Sequence, residues 1–441
     1  MIVRRVVCAV GAAAPAWAIQ RGAIRGAALA AGIAVFFATG CGGPVPQVLR
    51  EPETPMRGLW ITRWDFRTAD DVDRCLADAA DLGFTDVFFQ VRGQADAFYR
   101  SSLEPWGREL LAPADSDSGA APPAVLTDPG YDPLARAIAQ ARRRGLRLHA
   151  WVNVYPLWRG LHPPLEPEHP LNRYPDWRLH DDRGRPQPLN DHYVVANPAD
   201  PAVQAHVVAV LRDLCARYDI DGLHLDYVRF VSDRLDAGRL WPGDAVSLAR
   251  WRAAGGDGDP FAPPGRAAYR DWLREEITGL VARIAEAGRV ERPGLLVSAA
   301  VVRRPELARD TFLQDGVRWL AQGLVDRLLP MIYTRDAAVF AADLAAWLEA
   351  APAERLAPGI GVFLQKPEEL PPQLAASRQT AASAAGTGVA AAGDAAATRN
   401  TAGWALFAYS SLCESVNPEQ DRGPEAVQRR ARLRSLLGPS R

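Results

Sequence analysis

The stretch that decides the fold is Tyr218-Asp219-Ile220-Asp221-Gly222-Leu223-His224-Leu225-Asp226-Tyr227-Val228-Arg229-Phe230. Side chains alternate across a strand, so Leu223, Leu225 and Tyr227 share one face while His224 and Asp226 share the other. A strand apolar on one side and carrying an imidazole and a carboxylate on the other is covered on both faces. Burying those two polar groups costs free energy that partners must offset. The interior of a closed parallel barrel is normally filled by Val, Ile and Leu. A His and an Asp pointing inward are therefore expected near a functional rim.

Working outward, seven further short apolar runs read as strands, at 58–64, 86–91, 147–154, 295–302, 327–333, 356–363 and 403–409. The central stretch supplies 222–228. Helical patterns lie between them. Val72, Leu76, Ala79 and Ala80 keep helical spacing up to Gly83, and Leu134, Ala137, Ile138 and Ala141 do so up to Gly145. Further helices are expected at 203–218, 266–287 and 337–350. Eight alternating units argue for a closed (β/α)8 TIM barrel rather than an open sheet. The links after strands two, three and four are long, at 92–131, 155–199 and 229–265. All three fall on the C-terminal face, where barrels build their active sites. Residues 372–400, rich in Ala, Ser, Thr and Gly, read as a helix followed by a flexible loop.

The chain has 441 residues and a formal net charge of −1. Without a basic field, no nucleic-acid partner is expected. Arg4, Arg5, Arg21 and Arg25 precede an apolar run at 26–37 and the small residues Ala38-Thr39-Gly40-Cys41. This reads as an export segment over 1–41. Gly40-Cys41 resembles the lipobox of bacterial lipoproteins, which implies lipidation of Cys41 and a membrane-anchored protein of the cell envelope. An ordinary signal peptide and an uncleaved anchor are the alternatives. Pro44, Pro46, Pro52 and Pro55 make 42–56 a linker, and the barrel is expected over 57–437. Cys75, Cys215 and Cys413 are isolated and read as buried free thiols.

The same parity test groups His149, Trp151, Asn153 and Tyr155 on strand three, Gln90 with Arg92 on strand two, and Arg63 with Asp65 on strand one. Asp226 is the candidate catalytic carboxylate, with an ion pair to Arg92 or Arg229 as the structural alternative. Asp221 reads as a turn carboxylate. His149 and His224 could bind hydroxyls, sit hydrogen-bonded in the core, or ligate a metal. No HxH or HExxH spacing occurs, so neither a metal nor another cofactor is expected. Trp106, Trp158, Trp177 and Trp241 lie in the long loops, where an indole can stack on a sugar ring or pack a lid.

Taken in order, Arg57-Gly58-Leu59-Trp60-Ile61-Thr62, Phe88-Phe89-Gln90-Val91-Arg92-Gly93, His149-Ala150-Trp151-Val152-Asn153, Asp221-Gly222-Leu223-His224-Leu225-Asp226-Tyr227 and Leu329-Pro330-Met331-Ile332-Tyr333 resemble the glycosyl-hydrolase-like 10 family. The resemblance spans residues 57–412. It implies a barrel glycosidase acting on an envelope glycan, with peptidoglycan strands lacking stem peptides among the candidate substrates. It also implies that Asp226, ending the fourth barrel strand, is the nucleophile. Many relatives carry a second acid next to that position, where this chain has Tyr227. The expected acid partner is Asp336, with Asp65, Asp96 and Glu104 as rivals. Arg92, His149, Trp151, Asn153, Tyr155, His224 and Tyr333 are the expected substrate contacts. A non-catalytic glycan-binding barrel, and a metal-dependent hydrolase or deacetylase using His149, His224 and Asp226, are the alternatives.

Overall fold

The computed structural model describes residues 55–110, 128–230, 241–378, 401–416 and 424–437. The expected export segment with Cys41 and all of the expected linker but residues 55 and 56 lie outside these residues, as does the loop expected within 379–400. Among the described residues there are ten strands: β1 (Met56–Ile61), β2 (Asp86–Arg92), β3 (Arg147–Asn153), β4 (Pro156–Gly160), β5 (Asn190–Val195), β6 (Gly222–Asp226), β7 (Leu296–Val302), β8 (Arg327–Met331), β9 (Gly359–Gly361) and β10 (Gly403–Phe407). Eight of them close a parallel barrel in the order β1-β10-β9-β8-β7-β6-β3-β2. β4 and β5 form a separate antiparallel hairpin. Helices link the barrel strands, so the architecture is the (β/α)8 barrel that the alternation predicts.

Local chemistry sets the helix ends. Thr68 and Asp71 form a reciprocal capping box at the start of Ala69–Asp81. Asp132 and Asp200 cap Pro133–Arg143 and Pro201–Arg217, each with Pro in the first turn. Gly83 and Gly145 take the positive φ that ends a helix. β1 stops at Ile61, short of the expected 64, because Asp65 closes a turn: its Oδ2 accepts from the Thr62 N–H at 2.7 Å and from Thr62 Oγ1 at 2.8 Å. The expected strand at 356–363 is reduced to Gly359–Gly361 and followed by a 3-10 turn. The β4–β5 hairpin lies in a link that the sequence presents as irregular.

Alternation divides the core in two. Leu223 and Leu225 point outward with Val87, Phe89, Ala150 and Val152, against the helices. Inside the barrel sit Trp60, Phe88, Trp151 and Leu329. The inward residues form layers, because β3 and β6 pair His149 with Gly222, Trp151 with His224, and Asn153 with Asp226.

The lowest of these layers is closed by an ionic cluster. His149 Nε2 lies 2.9 Å from Asp86 Oδ1, and Arg147 bonds the same carboxylate twice at 2.7 Å. Burial alone would raise the Asp86 carboxyl, but His149 and Arg147 hold it well below the usual carboxylate range. Gly222 leaves the space that His149 occupies: a Cβ there would fall 2.1 Å from His149 Nδ1. Cys75, Cys215 and Cys413 are buried free thiols.

Gly222→Ala is expected to lower stability by about 1–3 kcal/mol, because His149 is pinned between Asp86 and Phe88 and cannot yield; urea denaturation measures this. Asp86→Asn should cost about 3–5 kcal/mol by leaving the Arg147 guanidinium without its carboxylate. The depressed Asp86 pKa makes its contribution complete above about pH 4 and lost on acidification, so the variant should show a flatter acid limb in a plot of stability against pH.

Candidate active site

A cleft of about 330 Å³ opens at the C-terminal ends of the barrel strands. Trp151 and Asn153 of β3, Asp226 of β6, Met331 of β8 and Phe407 of β10 form its base, with Gln90 of β2. Thr62, Arg63 and Trp64 beyond β1, Tyr227 and Arg229 beyond β6, and Tyr333 beyond β8 build the rim. Arg159, His192 and Tyr193 come from the β4–β5 hairpin. A second cavity of about 360 Å³ shares Arg63, Trp64 and Arg159 with the first and adds Gln94, Glu109 and Asp191. The two cavities thus lie on either side of a shared Arg63, Trp64 and Arg159 wall.

Asp226 is the carboxylate in the first cavity among the described residues. It is 6% exposed. Its Oδ1 accepts from the Tyr227 N–H at 2.6 Å, and Arg229 Nη1 stands 3.4 Å away. Burial raises its pKa, against the opposing pull of Arg229 and the Tyr227 N–H. Tyr227 adopts φ +50°, a left-handed conformation costly for a residue with a bulky side chain. That turn aims the Tyr227 N–H back at the carboxylate. The Arg229 guanidinium stacks over the Tyr227 ring at 4.4 Å, and Tyr193 meets the same ring edge-on at 5.0 Å.

The cleft also gathers polar atoms that have no hydrogen-bond partner. Trp151 Nε1, Asn153 Oδ1, His192 Nε2 and Arg229 Nε are all buried and unpaired. Asn153 Nδ2 donates to Gly93 O at 3.0 Å, which fixes the amide with its oxygen free. All four atoms belong to residues that line this one cavity. Burial and the nearby Asp226 carboxyl push the Tyr333 phenol well up, so it stays a protonated donor.

Trp151, Asn153, Asp226 and Tyr333 thus meet in one cleft, and the other expected residues do not. His224 lies one layer deeper and is fully buried; its Nε2 accepts from Trp60 Nε1 at 3.1 Å and its Nδ1 faces Ser298 Oγ at 2.9 Å. Burial holds it neutral. His149 is deeper still, on Asp86. The two histidines and Asp226 therefore occupy three successive levels and do not converge as a ligand set. Among the described residues no cluster of three or more His, Cys, Asp or Glu could hold a metal ion. Asp221 accepts from the Leu148 N–H at 2.8 Å, a backbone tie between strands.

Arg92 departs from the parity expected of it. A register shift between Gln90 and Arg92 pairs Arg92 with outward-facing Val152 while Gln90 pairs with inward-facing Trp151. Arg92 instead forms a buried ion pair with Glu104 at 2.7 Å. Tyr155 lies beyond the end of β3 and packs into the outer core.

None of the rival acids lines the first cavity, although Asp96 keeps a buried Oδ2 without a partner and burial beside Glu109 pushes its carboxyl up to about 6. Asp336 is exposed and caps Ala337–Ala350, with Oδ1 accepting from Ala338 N at 2.7 Å and Val339 N at 3.1 Å. Glu104 is held by Arg92 and His206. Asp96 accepts from the Gly93 and Gln94 N–H groups. Asp65 holds the turn after β1. Trp106, Trp158, Trp177 and Trp241 do not line the cleft; Trp158 donates to His162 O at 2.7 Å, and Trp177 stacks on Tyr174 at 4.2 Å. The indoles that do line it are Trp64 and Trp151. Trp64, Arg159, His192, Tyr193 and Phe407 were not legible as site residues. For Met331 and Phe407, the position at a strand's C-terminal end was the available signal.

A family model described as glycosyl hydrolase-like 10 matches residues 55–359. The chain belongs to this family. Glycosyl hydrolase DigH of Escherichia coli K12 is 26% identical over 364 residues, covering 74% of this chain and 76% of that protein. Glycosyl hydrolase YngK of Bacillus subtilis is 25% identical over 281 residues, covering 59% of this chain and 48% of that one. Among solved structures, the glycoside hydrolase domain of PgaB (BpsB) from Bordetella bronchiseptica superposes with a TM-score of 0.56 at 11% identity, over 80% of this chain and 94% of that domain. The α-L-fucosidase isoenzyme 2 of Paenibacillus thiaminolyticus gives 0.54 at 14% identity, over 86% and 49%. At such identities the superpositions speak to the fold of this family member.

The raised Asp226 pKa predicts a stability effect. Its contribution is complete below about pH 4 and is lost as pH rises through the folded-state value. Asp226→Asn removes that loss and keeps an acceptor for the Tyr227 N–H. The variant should melt higher than the parent at pH 8, with the difference shrinking toward pH 4; calorimetry at both pH values checks this.

Proposed function

We propose that this protein hydrolyses glycosidic bonds of a bacterial envelope glycan, with Asp226 as the carboxylate that meets the anomeric carbon. One observation carries the reading: a buried carboxylate ends the fourth barrel strand in a cleft that holds four unpartnered buried polar atoms. Glycoside hydrolysis needs an ionised carboxylate beside a centre that develops oxocarbenium character, and a group that protonates the departing oxygen. Asp226 either bonds C1 or stabilises its positive charge. Asn153 Oδ1, the Trp151 N–H and the Arg229 Nε–H would bind ring hydroxyls or an amide substituent. Tyr227, Tyr333 and Phe407 provide the apolar walls typical of a ligand site. The second cavity beyond the shared Arg63, Trp64 and Arg159 wall supports an oligosaccharide rather than a single sugar. The envelope setting rests on the lipobox-like Gly40-Cys41, from which we propose a lipid anchor on Cys41. Peptidoglycan strands without stem peptides are the first substrate to test.

Incubating the protein with such strands and a glycan panel, with products read by mass spectrometry, should show new reducing ends. Asp226→Asn should lower turnover by about a thousandfold or more with the fold intact. Near-normal cleavage by that variant removes Asp226 from the mechanism. Binding without cleavage by the unaltered protein favours the non-catalytic alternative.

A further inference from the structure

We propose that His192 is the proton donor of the cleft that Asp226 occupies. This deepens the hydrolase reading and rests on it.

The argument begins with what lines the cavity. Among the described residues its wall contains one carboxylate, Asp226, and one imidazole, His192. The remaining titratable groups are the phenols of Tyr193, Tyr227 and Tyr333 and the guanidiniums of Arg63, Arg159 and Arg229. A guanidinium does not release its proton in this range, and a phenol is a weak acid at neutral pH. Imidazole is the side chain that exchanges a proton there without special help.

Position supports the role. The His192 N–H donates to Asn190 Oδ1 at 2.8 Å, which fixes the start of β5. Tyr193 next to it packs edge-on against Tyr227 at 5.0 Å, and its hydroxyl accepts from Arg63 Nη1 at 3.2 Å. These contacts seat the hairpin against the residue that follows Asp226. The two groups thus come from different elements, one from the barrel rim and one from the hairpin. His192 Nε2 is buried without a partner, as expected of an atom whose partner arrives with the substrate. The charged and titratable groups around it are those of the cleft wall together with Asp191, its neighbour in sequence, on the adjoining cavity.

The step balances. Imidazolium Nε2–H of His192 gives its proton to the glycosidic oxygen as the C1–O bond breaks, and the bonding pair leaves on that oxygen. Asp226 bonds C1. Water then displaces the Asp226 carboxylate from C1 and returns a proton to the neutral imidazole. One glycosidic bond and one water become a hemiacetal and an alcohol, and both side chains are restored.

The test uses the full chain and peptidoglycan strands lacking stem peptides. His192→Gln should lower kcat by about 10²–10⁴-fold with little change in KM. It should also abolish the alkaline limb of the pH–rate profile, which reports loss of the donor's proton. An unchanged melting temperature shows that the hairpin is intact. His192→Glu should recover part of the rate with the optimum moved to lower pH. A His192→Gln variant that keeps kcat within threefold and retains the alkaline limb overturns the assignment while leaving the hydrolase reading in place. Failure of the unaltered protein to cleave the strands or any glycan of the panel overturns both.

Discussion

In a closed barrel, the depth at which an inward side chain sits decides what it can do. The interior has no exit except its ends, so a polar group below the rim must find its partner among neighbouring strands. β3 and β6 display this as three stacked levels. At the lowest, His149 fills the space that Gly222 leaves and is bound to Asp86. One level up, His224 is wedged between Trp60 and Ser298 beside Trp151. At the top, Asn153 and Asp226 lie side by side and keep unpaired or electrostatically raised groups facing a cavity. The same alternation that produces two structural histidines produces the carboxylate at the cleft. What separates them is about two residues of strand at each step.

The rim is where the backbone departs from regularity, and each departure has a consequence for the cleft. The register shift after Gln90 sends Arg92 outward to Glu104 and leaves Gln90 facing in. Tyr227 accepts a left-handed conformation, and its N–H then meets the Asp226 carboxylate. The turn held by Asp65 ends β1 early and presents Arg63 and Trp64 to the groove. Strain of this kind persists only where surrounding contacts over-determine it, and it concentrates at functional sites. Here the Tyr227 turn is supported by Arg229 on its ring and Tyr193 at its edge.

The β4–β5 hairpin completes the site from outside the barrel. It carries Arg159, His192 and Tyr193 into the cleft and so converts an open barrel mouth into a walled groove. A long link after a barrel strand can be lengthened and folded without disturbing the eight-strand frame. The barrel frame is shared with structures of 11–14% identity, whereas the side chains that reach this cleft from the hairpin belong to the link.

The sequence by itself determined the frame. Period-two and period-3.6 patterns, helix caps and the eight apolar runs are local, so the barrel, the inward face of β6 and the rim position of Asp226 were readable before any coordinates. Trp151 and Asn153 are legible for the same reason, since strand parity carries them to the mouth, and Tyr333 is legible from the resemblance of Leu329–Tyr333 to the family. Only the tertiary structure decided which polar residues are free. His149, His224 and Glu104 look like site residues in sequence, yet they are occupied by Asp86, Trp60 and Arg92, partners set by strand register and loop path. A one-residue shift moved Arg92 to the other face, and an exposed helix start claimed Asp336. The hairpin that delivers His192 has no signal that separates it from an irregular loop, because its pairing and its place over the cleft depend on contacts remote in the chain.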